Sequence, residues 1–162
     1  MNLIDYLSPA RTLLGGHASS KKKALELIGE IIAGDNPGLS SQNILECLFQ
    51  RERFGSTAIG NGVALPHGRL PGCESPTAVL LMLSEGVTFD APDAEPVDIL
   101  FALLLPEDDT SVDSAQLQRI ATLLSQPVTQ AQLRHAHCSE ALMEILSCAE
   151  AQDRKNVPPT AH

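Results

Sequence analysis

The sequence has no tryptophan and few aromatic residues, with one tyrosine and four phenylalanines among 162 residues. Basic residues are also scarce, because 11 lysines and arginines stand against 20 aspartates and glutamates, for a net charge of −9. Binding to a nucleic-acid backbone needs clustered basic side chains, often with aromatic side chains for stacking on bases. We therefore expect no nucleic-acid partner. The acidic surface either attracts a basic protein partner or only maintains solubility.

Long apolar runs are absent as well. The longest candidate, Val97 to Pro106, is about half the ~18 to 20 residues that a membrane-spanning helix needs. Met1 to Pro9 lack the charged and apolar regions of a signal peptide, and the four cysteines form no Cys-x-x-Cys pair. We therefore expect a soluble, cytoplasmic protein with no direct membrane insertion.

Apolar periodicity indicates two helices before the middle of the chain. The first is predicted from Lys21 to Ala33, and the second ends near Arg53. Two short apolar runs follow, Thr77 to Leu83 and Val97 to Leu105, which predict strands buried on both faces.

Three further helices are predicted after the strands. The first begins at a capping box formed by Thr110 and Asp113, and the others extend from Val128 to His135 and from Ser139 to Cys148. Helices on both sides of a group of short strands predict a three-layer α/β/α sandwich with a small β-sheet. We expect one domain, residues 1–150, and a flexible C-terminal tail, residues 151–162.

The segment from Gly55 to Arg69 carries the strongest chemical signal. Its four glycines permit close approach of backbone amides to an anion, and Pro66 fixes the backbone just before His67. An imidazole has an ordinary pKa of about 6.5, so a nitrogen lone pair is available near neutral pH. A nucleophile beside amides that bind anions indicates phosphate chemistry, although a histidine between proline and glycine can also simply fill a turn.

Three motifs extend this signal: Arg51 to Thr57, Gly60 to Arg69, and Pro96 to Pro106. Together they resemble enzyme IIA of the nitrogen-related phosphotransferase system, within the fructose/mannitol-type IIA family, from about Leu3 to Ala149. The resemblance implies a mixed sheet with helices on both faces. It also implies a phosphohistidine carrier whose motif histidine, His67 here, accepts a phosphoryl group from a small phosphocarrier protein of the HPr type (NPr). That carrier is itself charged from phosphoenolpyruvate by enzyme I.

The resemblance also suggests the supporting residues. Arg51 matches the family's functional arginine, and its guanidinium fork suits phosphoryl oxygens, although the alternative is an arginine that only complements the dipole of its helix. We predict weaker phosphate-binding roles for Ser56 and the amides of Gly60, Asn61 and Gly62. Arg69 is predicted on the rim that faces a protein partner, or is a plain surface charge.

One departure from the family pattern concerns a second histidine. Related proteins usually carry one after the second buried strand, close to the phosphorylated histidine, whereas this chain has Asp113-Ser114-Ala115-Gln116 there. The resemblance implies that this segment lies beside His67. Asp113 or Gln116 is then the candidate substitute, although an ionised carboxylate beside a phosphoryl group is unfavourable.

We expect no metal site and no cofactor. His135 and His137 are two residues apart, so on a helix their rings point about 200° apart and cannot share one metal ion. Three hypotheses for function remain open. The first is a regulatory phosphocarrier whose phosphorylation state selects its regulatory protein targets. The second is a sugar-specific IIA that passes phosphate to a IIB domain, and the third is a binding module that is not phosphorylated. The lack of a fused IIB or membrane domain in the sequence favours the first.

Overall fold

The centre of the fold is a six-stranded sheet, in a computed structural model that describes residues 2–156. The strand order is β1-β5-β6-β3-β2, and β4 also pairs with β6. Strands β1 and β5 are parallel, as are the pairs β3 with β6 and β4 with β6, whereas β5 with β6 and β2 with β3 are antiparallel. The mixed sheet is therefore confirmed. The strands are β1 (Thr12–Gly16), β2 (Ala58–Gly60), β3 (Val63–Ala64), β4 (His67–Leu70), β5 (Thr77–Val87) and β6 (Val97–Pro106).

Within residues 2–156, five α-helices flank this sheet. The predicted first two begin after serine caps, because the side chains of Ser20 and Ser40 accept hydrogen bonds from the amides of Lys23 and Asn43. The helices are α1 (Lys21–Asp35), α2 (Ser41–Arg53), α3 (Ser114–Leu124), α4 (Pro127–Arg134) and α5 (Ser139–Asn156), with two short 3-10 turns at Leu3–Tyr6 and Pro9–Arg11.

The two long central strands separate two hydrophobic cores. Alternate residues of β5 and β6 point to opposite faces, so Leu80 and Phe101 pack with α3, α4 and α5, whereas Leu81 and Leu100 pack with α1 and α2. All four side chains are fully buried. This arrangement explains the unbroken apolar runs and confirms the α/β/α sandwich.

Two local predictions need correction. The cap of α3 is Asp113, whose side chain accepts from the Gln116 amide, so Thr110 does not start the helix. Helix α5 continues to Asn156, so the first residues of the predicted tail are helical. The remainder of that tail, residues 157–162, lies outside the described residues. Among residues 2–156, no helix is long and apolar enough to cross a membrane.

Candidate functional site

The position of His67 is fixed by the central sheet. His67 is the first residue of β4 and pairs in parallel register with Leu103 of β6. The amide of Leu103 donates to the carbonyl of Pro66 at 2.8 Å, which anchors the backbone directly before the histidine. The side chain is half-buried.

Gly68 allows helix α2 to approach this strand closely. A Cβ atom at Gly68 would lie 2.5 Å from Sγ of Cys47, so only glycine fits there without a shift. The Cys47 thiol donates to the carbonyl of Arg69 at 3.2 Å. Because Arg51 lies one helical turn beyond Cys47, the same close packing brings its side chain beside the His67 ring.

The two ring nitrogens of His67 have different partners. Nδ1 is 2.8 Å from the carbonyl oxygen of Leu65, which can only accept, so Nδ1 carries the proton. Nε2 therefore keeps its lone pair, and Nε of Arg51 donates to it at 3.3 Å. Burial lowers the pKa of His67, and the positive charge of Arg51 acts in the same direction against the opposing Leu65 carbonyl. The ring is therefore neutral at neutral pH, with Nε2 as its nucleophilic atom.

Arg51 does more than complement the end of its helix. Its Nη1 donates to the carbonyl of Gly55 at 3.0 Å, and its Nε contacts the His67 ring. Gly55 has a φ of +143°, a conformation in which other residues are strained, and the chain turns back there after α2. Nη2 of Arg51 makes no hydrogen bond to a residue of the described chain, so a donor remains for a ligand.

The His67 pocket has a volume of about 350 Å³ and is lined by residues of both helical layers. Helix α2 contributes Arg51, and one face of α3 lies across from it. On α3 the lining residues are spaced i, i+3, i+4 and i+7, which places them on a single helical face. The pocket is lined by Arg51, Ser56, Thr57, Ala58, Ile59, Leu65, His67, Ser114, Leu117, Gln118 and Ala121.

Ser56 lines the His67 pocket, but its hydroxyl group already has partners. Oγ donates to the carbonyl of Phe89 at 2.6 Å and accepts from the amide of Ala58 at 3.1 Å. Because a hydroxyl has one proton, Ser56 has no donor left for a phosphate.

The structure does not bring Gly60, Asn61 and Gly62 into the His67 pocket. Gly60 ends β2, and Asn61 and Gly62 form the turn to β3, where the amide of Asn61 donates to the Asp93 carboxylate at 2.8 Å. Asn61 and Gly62 line a different cleft together with Arg134, whose Nη2 donates to the Asn61 carbonyl at 2.6 Å. The predicted phosphate-binding role is not supported, because none of these three residues lines the His67 pocket and the Asn61 amide is already bound to a carboxylate.

Arg69 is exposed, as a rim residue would be, but its guanidinium group is occupied. It donates to the carbonyls of Pro106 and Val112, each at 3.2 Å, and also to the carbonyl of Asp109. These bonds fix the loop that leads from β6 to α3. The partner-facing role of Arg69 remains a prediction.

Neither Asp113 nor Gln116, the two candidates for the place of the missing second histidine, lines the His67 pocket. The side chain of Asp113 caps α3, and Gln116 lines a small cavity with Leu3 and Glu150 on another side of the helix. Ser114 and Gln118 line the His67 pocket instead. The spacing of Ser114, Leu117, Gln118 and Ala121 was visible in the sequence, but nothing there indicated which face of α3 meets His67.

The chain is similar to known proteins over most of its length. Residues 5–148 match the family described as "Phosphoenolpyruvate-dependent sugar phosphotransferase system, EIIA 2". The chain is 42% identical over 146 residues to the nitrogen regulatory protein of Pseudomonas aeruginosa, which covers 90% of this chain and 95% of that protein. It is 44% identical over 151 residues to the nitrogen regulatory protein of Klebsiella oxytoca, with 91% of each chain covered.

The fold is similar to a solved structure as well. The crystal structure of nitrogen regulatory protein IIA-Ntr from Neisseria meningitidis superposes with a TM-score of 0.82 at 35% identity, over 89% of this chain and 98% of that one. These matches confirm the resemblance that was inferred from the sequence motifs. The chain belongs to the EIIA 2 family of the phosphoenolpyruvate-dependent sugar phosphotransferase system.

Proposed function

We propose that this protein is a phosphohistidine carrier of the nitrogen-related phosphotransferase system, with Nε2 of His67 as the atom that accepts the phosphoryl group. One observation carries the proposal. The Leu65 carbonyl fixes the proton on Nδ1, so the lone pair of Nε2 faces a pocket that also contains the Arg51 guanidinium.

The transfer step follows from this arrangement. The lone pair of Nε2 forms a bond to phosphorus while the bond between phosphorus and the donor's histidine nitrogen breaks, and that electron pair returns to the donor. Positive charge then develops on the His67 ring, where the Leu65 carbonyl accepts from Nδ1–H and stabilises it. Arg51 offers donors to the phosphoryl oxygens, and Ser114 and Gln118 face the same space.

The donor is a small phosphocarrier protein of the HPr type, charged from phosphoenolpyruvate by enzyme I. Incubation with phosphoenolpyruvate, enzyme I and either a nitrogen-type or a sugar-type phosphocarrier, followed by intact mass measurement, tests this. We expect one added phosphoryl group, gained faster from the nitrogen-type carrier. A faster reaction with the sugar-type carrier would favour the alternative of a sugar-specific IIA that serves a IIB domain.

The site itself is tested by substitution. His67→Ala is expected to abolish labelling, whereas the exposed His137→Ala serves as a matched control and should be labelled fully. The modification should be lost in acid and persist in alkali, as a phosphoramidate does. Lack of any labelling of the parent protein would support the remaining alternative, a binding module of the same fold that is not phosphorylated.

The regulatory role is the finer part of the proposal, and the names of the relatives support it. A phosphoryl group adds about two negative charges at neutral pH, enough to change which protein surface binds beside His67. Capture experiments with the phosphorylated protein and with His67→Ala should then retain different protein targets. We place this exchange in the cytoplasm, and the four free cysteines agree with a reducing compartment.

A further inference from the structure

The residue after Arg51 in helix α2, Glu52, carries a buried carboxylate. The side chain of Glu52 is only 3% exposed, and its Oε2 is 2.9 Å from Nζ of Lys21. Thr57 donates twice to this carboxylate, from its amide to Oε2 at 3.1 Å and from its hydroxyl to Oε1. A carboxylate inside a protein is unfavourable unless such partners surround it, so this cluster is a specific arrangement.

The cluster fixes residues 55–57, the segment that follows α2. Thr57 is bound to Glu52, and the neighbouring Ser56 donates to the Phe89 carbonyl at 2.6 Å. Lys21 lies over the same phenylalanine, with Nζ 4.6 Å from the centre of the ring. The segment is thus tied to the start of α1, the end of α2 and the backbone after β5.

This segment in turn holds the Arg51 guanidinium in position. The carbonyl of Gly55, two residues before Thr57, accepts the bond from Nη1 of Arg51, while Nε of the same guanidinium points to His67. A shift of the segment would therefore move the guanidinium relative to Nε2. Glu52 does not line the His67 pocket, so it does not touch the transferred group. Its negative charge also acts on the His67 ring, where it raises the pKa against the larger lowering effect of burial. Variants of Thr57 keep that charge and therefore test the position of Arg51 alone.

We propose that Glu52, bound by Lys21 and Thr57, is a positioning residue that keeps Arg51 aligned with Nε2 of His67 for phosphoryl transfer. The proposal rests on the proposed function of His67 as the phosphoryl acceptor. It concerns the rate of the chemical step, because a small misalignment of a group that stabilises the transition state slows transfer without weakening donor binding.

Thr57 lines the His67 pocket, but the one proton of its hydroxyl is donated to Glu52, so a pair of variants at this position tests the bond to Glu52. Thr57→Val keeps the shape and removes the hydroxyl that donates to Glu52, whereas Thr57→Ser keeps the hydroxyl and removes a methyl group. Single-turnover transfer from the phosphocarrier should be about tenfold slower in Thr57→Val at saturating donor, with an unchanged half-saturating donor concentration. Thr57→Ser should stay within about twofold of the parent.

Two further variants complete the design. Thr12→Val is the matched control, because Thr12 is also buried and its hydroxyl donates to the Ser8 carbonyl at 2.9 Å, away from the His67 pocket. It should transfer at the parent rate. Glu52→Gln removes the charge of the cluster and is expected to slow transfer like Thr57→Val, which provides a second test if either variant folds poorly in a thermal unfolding scan.

A readout without any donor separates this proposal from the function of His67. Solvent exchange of the Arg51 Nε–H, followed by NMR in ¹⁵N-arginine-labelled protein, reports the contact with His67 directly. Exchange should be faster in Thr57→Val than in Thr57→Ser, even if the parent protein accepts no phosphoryl group. Parent-like exchange in Thr57→Val and Glu52→Gln would overturn the proposal, and so would Thr57→Ser that transfers as slowly as Thr57→Val.

Discussion

The two ring nitrogens of His67 differ in protonation and in hydrogen-bond partner, which suits the proposed role of phosphoryl acceptor. The Leu65 carbonyl keeps the proton on Nδ1, and Nε2 remains unprotonated beside Arg51. Burial, aided by the arginine charge, lowers the pKa of the ring and maintains this state. A histidine on an open surface would share its proton between both nitrogens and lose its lone pair at mildly acidic pH.

The lowered pKa predicts an unusual tolerance of acid. Single-turnover transfer should stay constant as pH falls past about 6.5, the ordinary pKa of an imidazole, and decline only as pH approaches the lowered pKa of His67. Arg51→Gln should raise the pKa of His67 in an NMR titration, because a neighbouring positive charge is removed. The exposed Arg53→Gln is the control. An equal pKa in the parent and Arg51→Gln would contradict the electrostatic account.

The same shift has a consequence for stability. The folded protein binds a proton on His67 less readily than the unfolded chain does, so protonation favours unfolding. The contribution of neutral His67 to the free energy of unfolding is fully present above about pH 6.5 and is lost as pH falls through that value toward the lowered pKa.

Arg51 should contribute through the geometry of its guanidinium as well as its charge. Arg51→Lys keeps the charge but cannot donate to Gly55 and His67 from one planar group. Loss of one charge-assisted contact, about 1.5 to 3 kcal/mol, predicts roughly ten- to hundredfold slower transfer. Arg53→Lys, two residues along the same helix, should transfer normally. Parent-like kinetics in Arg51→Lys would show that charge alone suffices.

Sequence motifs predicted His67 and Arg51 as the central pair, and the structure places Nε of Arg51 3.3 Å from Nε2 of His67. They misplaced Gly60, Asn61 and Gly62, because glycine indicates a flexible or crowded backbone but not the direction in which its amides point. Here the crowding comes from Arg134 and Asp98, which lie 2.5 and 2.8 Å from where a Cβ of Gly62 would be.

At the scale of elements, the site depends on which face of α3 meets β4. The pocket-lining Gln118 and the cavity-lining Gln116 lie on different faces of the same helix. Gln118→His should lengthen the lifetime of phosphorylated His67 or speed its formation, because an imidazole there can donate to the phosphoryl group. Gln116→His should leave both quantities unchanged. Equal effects of the two variants would exclude this orientation of α3.

The geometry of the site also depends on the close packing of α2 against β4. Gly68→Ala should destabilise the protein by about 1 to 3 kcal/mol in chemical unfolding, because its Cβ overlaps Sγ of Cys47. The loss should be smaller in a Cys47→Ala background, where the sulfur is absent. Gly38→Ala, at a position with no atom within 4 Å of the new Cβ, is the control. An equal loss in both backgrounds would place the strain elsewhere.

Elements with a long apolar pattern could be predicted, and short ones could not. The bounds of α1 and α2 agree with their apolar periodicity, and those of β5 and β6 with their continuous apolar runs, within a few residues. Strands β2, β3 and β4 have two to four residues each, too few to show a period of two. Helix α5 extends further than expected, and near its end the carboxylate of Glu150 accepts the Leu3 amide at 2.7 Å, a contact between distant residues.

At the scale of the whole molecule, the site lies where the two helical layers meet. Arg51 comes from the layer of α1 and α2, and Gln118 comes from the layer of α3, α4 and α5. The layered fold followed from the order of helices and buried strands. The composition of the pocket did not, because it depends on the pairing of β4 with β6, which no periodicity reveals.

The central claim is that Nε2 of His67 carries the phosphoryl group while Nδ1 keeps its proton. NMR of ¹⁵N-histidine-labelled protein, phosphorylated through enzyme I and the nitrogen-type phosphocarrier, tests it most directly. We predict ³¹P coupling to Nε2 of one histidine, His67, whose Nδ1–H remains bonded to the Leu65 carbonyl. Coupling to Nδ1, or to the nitrogen of another histidine, would contradict the account.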